Sequence, residues 1–343
     1  MEKTKNDIRE LAAKAGVSIA TISRVLNPET RHKVAPQTLK KIDALVKKCH
    51  YTPNLAAQNL RKTAYQAIGV VFPHHTGILL SEYYSQIISG VADALLDTEF
   101  RLKMILMKPE KPRWDHYNIK DGEGVDGVIL TYWRTIFSGG QVFNRFTIPS
   151  VIINNVEEDI KARFVAGDHF SGGRMAAKYL YDHGHRRIAT LYGIPYSPDI
   201  RERFRGFKTY LEEKGITVDD DSIFKVDFDE QRAYEITDDL LARKPEFTAV
   251  FCMNDIQALG ILRRLRERGV DCPGRLSVMG YDDDMRTEHS SPPLTTVQAP
   301  VYDLAKKAAT DLIEQIRHKK DAGFCKPCYS PVSIVERGSV REV

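Results

Sequence analysis

Residues 4–27, TKNDIRELAAKAGVSIATISRVLN, hold two short helical patterns separated by a glycine. Apolar residues recur at helical spacing at Ile8, Leu11, Ala12 and Ala15 and stop at Gly16. A glycine there lets the chain reverse without a Cβ clash. Val17 and Ser18 open a second helix, with Ser18 suited to cap its free backbone amides. Ile22, Val25 and Leu26 form that helix's buried stripe, which leaves Ile19, Ala20, Thr21 and Arg24 pointing outward. Two helices on a tight turn form a unit that can lie across a DNA backbone and enter the major groove. A small helical hairpin without a partner would share the pattern, so charge must decide.

Residues 1–63 carry 13 Lys/Arg against 5 Asp/Glu, a net of +8, on a chain whose total is only +4. The remaining 280 residues therefore sum to −4. A basic amino-terminal module on a mildly acidic body is the asymmetry of a protein that meets phosphate with one end. The excess coincides with the helix-turn-helix, which favours DNA over a solvated charge run.

The residues resemble the lactose-repressor (LacI/GalR) family of bacterial transcription regulators. The strings that carry the resemblance are DIRELAAKAGVSIATISRVLN, YTPNLAAQNLRKT at 51–63 and VMGYDDD near 278–284. It covers essentially the whole chain. It implies an α/β protein with a helix-turn-helix headpiece and hinge helix, then two doubly wound subdomains forming a periplasmic-binding-protein-like core. The expected divisions are a headpiece at 1–63 with the hinge at about 54–61, and a core at 64–343. Within the core, about 66–165 and 297–325 form one subdomain; about 166–293 and 326–343 form the other. Three crossovers are expected near 165–168, 293–297 and 325, with an effector cleft between the subdomains.

Periodicity gives the same architecture independently. AIGVVF (67–72), RLKMILM (101–107), GVIL (127–130) and SVII (150–153) are short apolar strands, joined by a helical stretch through Tyr83 to Leu95. A second series runs RIATLY (187–192), helices over 201–214 and 230–243, AVFCM (249–253), a helix over 256–268 and LSVMG (276–280). Short apolar strands alternating with longer amphipathic helices imply parallel sheets covered on both faces.

Length and composition fit that reading: 343 residues are enough for more than one domain, with 42% hydrophobic and 28% charged residues. The first residues, MEKTKNDIRE, have no apolar h-region, and no apolar run reaches the length of a membrane span, so a cytoplasmic protein with no membrane partner is expected. The five cysteines are odd in number and scattered, as in a reducing compartment. Cys325-Lys-Pro-Cys328 has redox or half-zinc-site spacing without a second pair, and free thiols are the favoured reading.

Pro53 and Asn54 can start a helix of roughly two turns through Leu60, too short to be stable alone in water. An ordinary linker would read similarly. The resemblance makes it a hinge helix that pairs with its dimer mate in the minor groove, with Leu60 as the wedge between base pairs and Ala57 the small residue beside it. In the second helix, Arg24 can reach a guanine edge or a phosphate, whereas Ile19 and Ala20 offer only van der Waals contact. Ser18, Thr21, Ser23 and Asn27 suit phosphate contacts; each would also serve as a helix cap or a solvated surface residue, with the readings evenly balanced for Ser23. The following turn, PETRHKVAPQTLKK, is about two residues longer than the family pattern, with Ala35 where a capping Ser is common and Lys33 as its phosphate-facing candidate.

The family's effector contacts carry over to Asn154 at the end of SVII, Asn254 after AVFCM, Arg203 in RERFRGF and Asp282 in GYDDD. Strand carboxyl ends are where open α/β sheets bind ligands, and Asn, Asp and Arg there can pair with a polyhydroxylated molecule. Phe228 and the Tyr83–Tyr84 pair would supply apolar walls, or else belong to the core. Many relatives have Asp at the position of Asn154, and His74, His75 and Arg134 also follow strand ends. Together these suggest a less negative cleft and an effector that could carry a carboxylate or phosphate.

A solute-binding protein would share the core but lack residues 1–63. A nicotinamide enzyme would need a glycine-rich turn after its first strand, and AIGVVFPHHTGILL has a single glycine there. Ser171-Gly172-Gly173 reads as a packing turn rather than an anion cradle. No catalytic triad, nucleotide loop or metal-ligand cluster is visible, so neither enzyme activity nor a cofactor is expected. The expected partners are a pseudo-palindromic operator in double-stranded DNA, a small sugar-like effector and a second copy of the chain. Some relatives instead answer to a protein co-repressor, and the sequence leaves that alternative open. ERGSVREV after Val335 lacks the heptad leucines that join dimers into tetramers.

Overall fold

The computed structural model describes residues 8–26, 30–49, 65–73, 80–107, 124–131, 148–156, 163–193, 197–243, 246–318 and 327–343. Asn27, Asn54, Ala57, Leu60, His74, His75, Arg134 and Cys325 lie outside them. The chain divides into two units, residues 1–65 and 66–343.

The first unit holds α1 (Ile8–Ala15), α2 (Ile19–Leu26), a 3₁₀ turn (Arg31–Lys33) and α3 (Pro36–Lys48). Leu11, Ala12, Ala15, Ile22, Val25 and Ile42 form its core, with Ile8, Val17, Ile19 and Leu39 packed around them. The long turn after α2 is absorbed by the 3₁₀ turn, and Arg31 reaches across it to Asp43 of α3 at 2.6 Å. Pro36 starts α3 where its fixed φ suits the first turn, so the missing capping serine at Ala35 does not prevent the helix.

The second unit contains two six-stranded sheets. The first is built from β1 (Ala67–Pro73), β2 (Arg101–Met107), β3 (Gly127–Thr131), β4 (Ser150–Ile153), β5 (Arg163–Gly167) and β11 (Cys328–Ser330) in the order β11-β5-β4-β3-β1-β2, every pair parallel. The second is built from β6 (Ile188–Tyr192), β7 (Ile223–Lys225), β8 (Ala249–Cys252), β9 (Ser277–Asp282), β10 (Thr295–Gln298) and β12 (Ser333–Val335), in the order β12-β10-β9-β8-β6-β7. Its β10–β12 pair is antiparallel, which the apolar runs did not foreshadow. Strands β1, β3, β4 and β8 are buried nearly throughout, as expected of sheets covered on both faces.

Helices α4 (Glu82–Leu95) and α9 (Val301–His318) pack on the first sheet's side. Helices α5 (His169–Asp182), α6 (Pro198–Glu213), α7 (Glu230–Ala242) and α8 (Asp255–Glu267) belong with the second. The predicted helices start up to three residues early in the structure, α6 because Pro198 occupies its first turn. Ser171-Gly172-Gly173 is a packing segment: a Cβ on Gly173 would lie 1.9 Å from the Arg203 carbonyl, and one on Gly206 would lie 2.0 Å from that of Phe170. These two glycines let α5 and α6 approach backbone to backbone.

Two crossings differ from the expectation. Residues 297–298 belong to β10 in the second sheet, so the chain crosses after Gln298 and not at 293–297. Cys328–Ser330 lie in the first sheet and Ser333–Val335 in the second, so the last crossing falls at 331–332 and not at 325. Both strands are three or four residues long, and their sheet is chosen by pairing with β9 and β5, not by their own apolar content. Among the described residues no helix is long and apolar enough to cross a membrane.

Candidate functional site

The first unit positions its exposed residues through its turn. Gly16 has φ +67°, and its amide and that of Val17 bond back to Ala13 and Ala12 at 3.2 and 3.1 Å, closing α1 as a Schellman motif. Ser18 then caps α2, its Oγ accepting from Thr21 N at 3.2 Å and lying 3.0 Å from the Thr21 hydroxyl. The hydroxyl placed among phosphate contacts is thus engaged in the helix start. Ala20 and Arg24 stand exposed on α2, Thr21 and Ser23 are half-buried, and Lys33 is exposed on the 3₁₀ turn. Ile19 does not point fully outward as expected; it is half-buried against the Leu11–Ile22 cluster, because a β-branched side chain in the first turn can fold back over the core. Thr30 Oγ1 donates to the Arg24 carbonyl at 3.1 Å and holds the turn to the helix end.

In the second unit, backbone strain marks the site. Asn154 and Asn155 after β4 have φ +55° and +49°, while Asp282 and Asp283 at the end of β9 have φ +116° and +62°. Four left-handed, non-glycine residues at the carboxyl ends of strands from different sheets are uncommon, and such positions concentrate at binding sites.

Asn154, Arg203 and Asp282 do come together, through a residue the sequence reading missed. His169, the first residue of α5, is buried. Its Nε2 lies 3.1 Å from Asn154 Oδ1 and its Nδ1 lies 3.1 Å from the Tyr281 hydroxyl. Arg203 Nε donates to the same Nδ1 at 3.3 Å. The rest of the guanidinium is engaged too: Nη1 donates to the Met253 carbonyl at 2.6 Å, Nη2 pairs with Asp282 Oδ1 at 2.9 Å, and the group lies 3.7 Å over the Tyr281 ring. Asn154 Nδ2 donates to the Tyr83 hydroxyl at 3.0 Å, and Asn154 Oδ1 also accepts from Gly167 N at 3.2 Å. The network therefore runs from α4 beside the first sheet to β9 of the second.

Burial sets its electrostatics. It raises the Asp282 carboxyl to about 6 despite the opposing pull of Arg203, and raises Asp199 for the same reason. Burial, helped by Arg203, holds the His169 imidazole well below its ordinary value, so it is neutral. Burial also raises the Tyr83 and Tyr281 hydroxyls, which remain protonated.

The other candidates separate. Tyr84 is core, edge-on to Phe72 and Tyr83, with ring centroids 5.6 and 5.1 Å away. Asn254 caps α8, its Oδ1 accepting from Gln257 N at 2.9 Å, so that oxygen serves the helix start. Phe228 is half-buried against Gly193, where a Cβ would meet its ring at 2.8 Å. The acidic run at 282–284 is used internally: Asp283 pairs with Arg337 at 2.7 Å and Asp284 with Arg286 at 2.7 Å.

A cavity of about 620 Å³ adjoins the network, with Asn155, Asp168, His169, Ser171, Asp199 and Tyr329 among its walls. That volume is within the range of small-molecule sites. Arg203 and Asp282 are not on its walls; Tyr83 and Asp282 instead border a gap of about 30 Å³ together with Glu82, Asp255 and Asp284. His169 and Asp199 were legible only as residues just beyond a strand end and at a helix start. Tyr281 alternates into the core and gave no signal.

The amino-terminal region, residues 7–54, matches the lacI family of bacterial regulatory proteins, and residues 177–340 match a periplasmic binding protein-like domain. The HTH-type transcriptional repressor PurR of Vibrio atlanticus is 33% identical over 342 residues, 97% of this chain and 98% of that protein. Among solved structures, the lac repressor dimer bound to operator and the anti-inducer ONPF superposes with a TM-score of 0.82 at 25% identity, covering 98% of this chain and 100% of the other. The complex of the transcriptional regulator CelR with cellobiose gives 0.71 at 27% identity, covering 97% and 99%. With a relative this similar along almost its whole length, and with the headpiece and two-sheet core in place, the chain belongs to the lacI family of bacterial regulatory proteins.

Proposed function

We propose that this protein is a cytoplasmic transcriptional repressor that binds a pseudo-palindromic operator as a homodimer and is controlled by a small sugar-like effector bound between the two sheets. The observation that carries it is the buried network joining Tyr83 and Asn154 to Arg203 and Asp282 beside the 620 Å³ cavity. A ligand that alters those contacts changes the relative free energy of the two subdomain arrangements, which is what allosteric control requires. CelR with cellobiose and the lac repressor with operator and ONPF supply the analogy for effector and DNA.

DNA contact is assigned to Arg24, Ala20, Thr21, Ser23 and Lys33 of the described headpiece, together with Ile19 and Ser18 at the helix start. The partly exposed Met104 and Leu106 on edge strand β2 support a face covered by a second copy. The test is a calorimetric screen of the full chain against sugars and sugar derivatives, followed by operator binding with and without each hit. A hit that shifts operator affinity supports the reading. If no small molecule binds while the protein still represses in a purified transcription assay supplemented with cell extract, a protein co-repressor replaces the effector. Light scattering at micromolar concentration should give a dimer, and a stable monomer would contradict the operator geometry.

A further inference from the structure

The hydrogen bonds around His169 have a single consistent direction. Arginine can only donate, so Arg203 Nε places its proton toward His169 Nδ1, which must be the unprotonated nitrogen. The Tyr281 hydroxyl donates to that same lone pair. In a neutral imidazole the proton then sits on Nε2 and is donated to Asn154 Oδ1. Gly167 N donates to that oxygen as well, so the amide cannot flip without setting two donors against its NH₂ group. Asn154 Nδ2 is thereby aimed at Tyr83, whose oxygen accepts and whose own proton is left to donate elsewhere. Across the small gap lies the Asp282 carboxyl.

We propose that His169 is a positioning residue that fixes this direction, so that Tyr83 donates and Asp282 accepts across the gap, and that the effector group seated against Tyr83 is a single uncharged oxygen acceptor, as a gap of about 30 Å³ allows. The identification rests on the effector-binding reading given above. A carboxylate or phosphate is disfavoured by what surrounds the gap: Glu82, Asp255, Asp282 and Asp284 border it, while Arg203 does not and has its charge paired with Asp282. The same arrangement favours a hydroxyl or N–H of the effector opposite Asp282. A sugar lactone or an amide-bearing sugar satisfies both demands; an aldonate does not.

Two measurements on the full chain decide this. In the protein labelled with ¹⁵N-histidine, the signal absent from His169→Gln should report an Nε2-protonated, neutral ring that does not titrate between about pH 5 and 8. An Nδ1-protonated or titrating ring overturns the proposal whether or not any effector is known. The second measurement is calorimetry with galactono-1,4-lactone, galactonate and galactose as probes. The lactone should bind about tenfold or more tighter than galactonate, as expected when one choice leaves a buried charge unpaired. His169→Phe should collapse that ratio. His169→Gln, whose amide can accept from Arg203 and donate to Asn154, should restore it. Preference for galactonate, or an unchanged ratio in His169→Phe, overturns the proposal. If none of the three binds, the sugar-like effector falls with the ligand class, and the imidazole measurement alone decides the direction of the chain.

Discussion

Arg24 and Arg203 show how differently one residue type is used in the two units. Arg24 stands exposed on α2, with a guanidinium available to a partner. Arg203 is 3% exposed and has its donors distributed among His169, Met253 and Asp282. The first is a recognition group on a small rigid frame; the second is part of the frame of its own site. Removing each should therefore have opposite consequences for folding and for binding.

The largest effect is expected at Arg203. Arg203→Ala strands the Asp282 carboxyl beside buried Asp199, leaves the Met253 carbonyl without its guanidinium donor and leaves His169 Nδ1 with the Tyr281 hydroxyl alone. A fully buried ion pair broken in this way costs about 3–5 kcal/mol, and water reaching the partly exposed Asp282 side chain puts this one toward the lower end. The melting transition of residues 66–343 should fall sharply, and any loss of effector response in that variant is then confounded with unfolding. Asp282→Asn also removes one charge of the pair, but it keeps the shape and an acceptor oxygen toward Arg203, so it should cost less than Arg203→Ala and is the better probe of the cleft: operator binding should stay near wild type while the effector's influence is lost. If Arg203→Ala melts like wild type, the network described here is not the one that forms in solution.

Next comes the core of the headpiece. Among the described residues Ile22 is fully buried in a cluster of six buried side chains, so Ile22→Ala should cost about 3 kcal/mol. Because the chain forms two units, this should abolish operator binding while residues 66–343 melt as before. A matching fall in both transitions would mean that the units unfold as one.

The same contrast explains what the amino-acid order reveals. Ile8, Leu11, Ala15, Gly16, Ser18, Ile22 and Val25 are linked by local spacing, so the helix-turn-helix can be read along the chain. The central strands of the two sheets are legible for a similar reason, since β1, β3, β4 and β8 are short runs whose two buried faces demand apolar residues. Strands β5, β7, β10, β11 and β12 escape because three to five residues carry no usable periodicity, and their sheet is decided by the strands they pair with. The cleft is legible only in part. Asn154, Arg203 and Asp282 follow from strand ends and resemblance, but His169 acquires meaning from Arg203, 34 residues later, and from Tyr281, 112 residues later. Tyr84 and Asn254 show the converse: a residue type suited to a ligand can be taken up by packing or by a helix start.

A smaller effect, on binding alone, is expected from Arg24→Ala. Losing a side chain that reads a base edge should reduce discrimination between operator and random duplex by about 1–3 kcal/mol, with no change in melting. Equal losses on both DNAs would make Arg24 a phosphate contact. Wild-type affinity should in either case fall steeply with salt, because the basic module displaces counterions from DNA. Binding nearly independent of salt between 50 and 200 mM, a range in which such complexes weaken by orders of magnitude, would contradict the headpiece assignment itself.

The smallest effect concerns the charge at Asp282. Its folded carboxyl is raised by burial to about 6, above its ordinary value of 3.8, so between those values the folded state holds a proton that the unfolded chain has released. Linkage then makes this group's contribution to stability increase as pH falls through about 6 and shrink as pH rises above it. Other carboxylates with the opposite shift, such as Glu99 beside Arg317, mask this in the wild type alone. The difference between wild type and Asp282→Asn isolates it, because the amide does not titrate. That difference should move in favour of the wild type by about 1 kcal/mol between pH 7 and 5. Parallel pH profiles for the two proteins would mean that the Asp282 carboxyl is more solvated than its place beside buried Arg203 implies. The contrast between an exposed Arg24 and a committed Arg203 would then be weaker than the buried geometry implies.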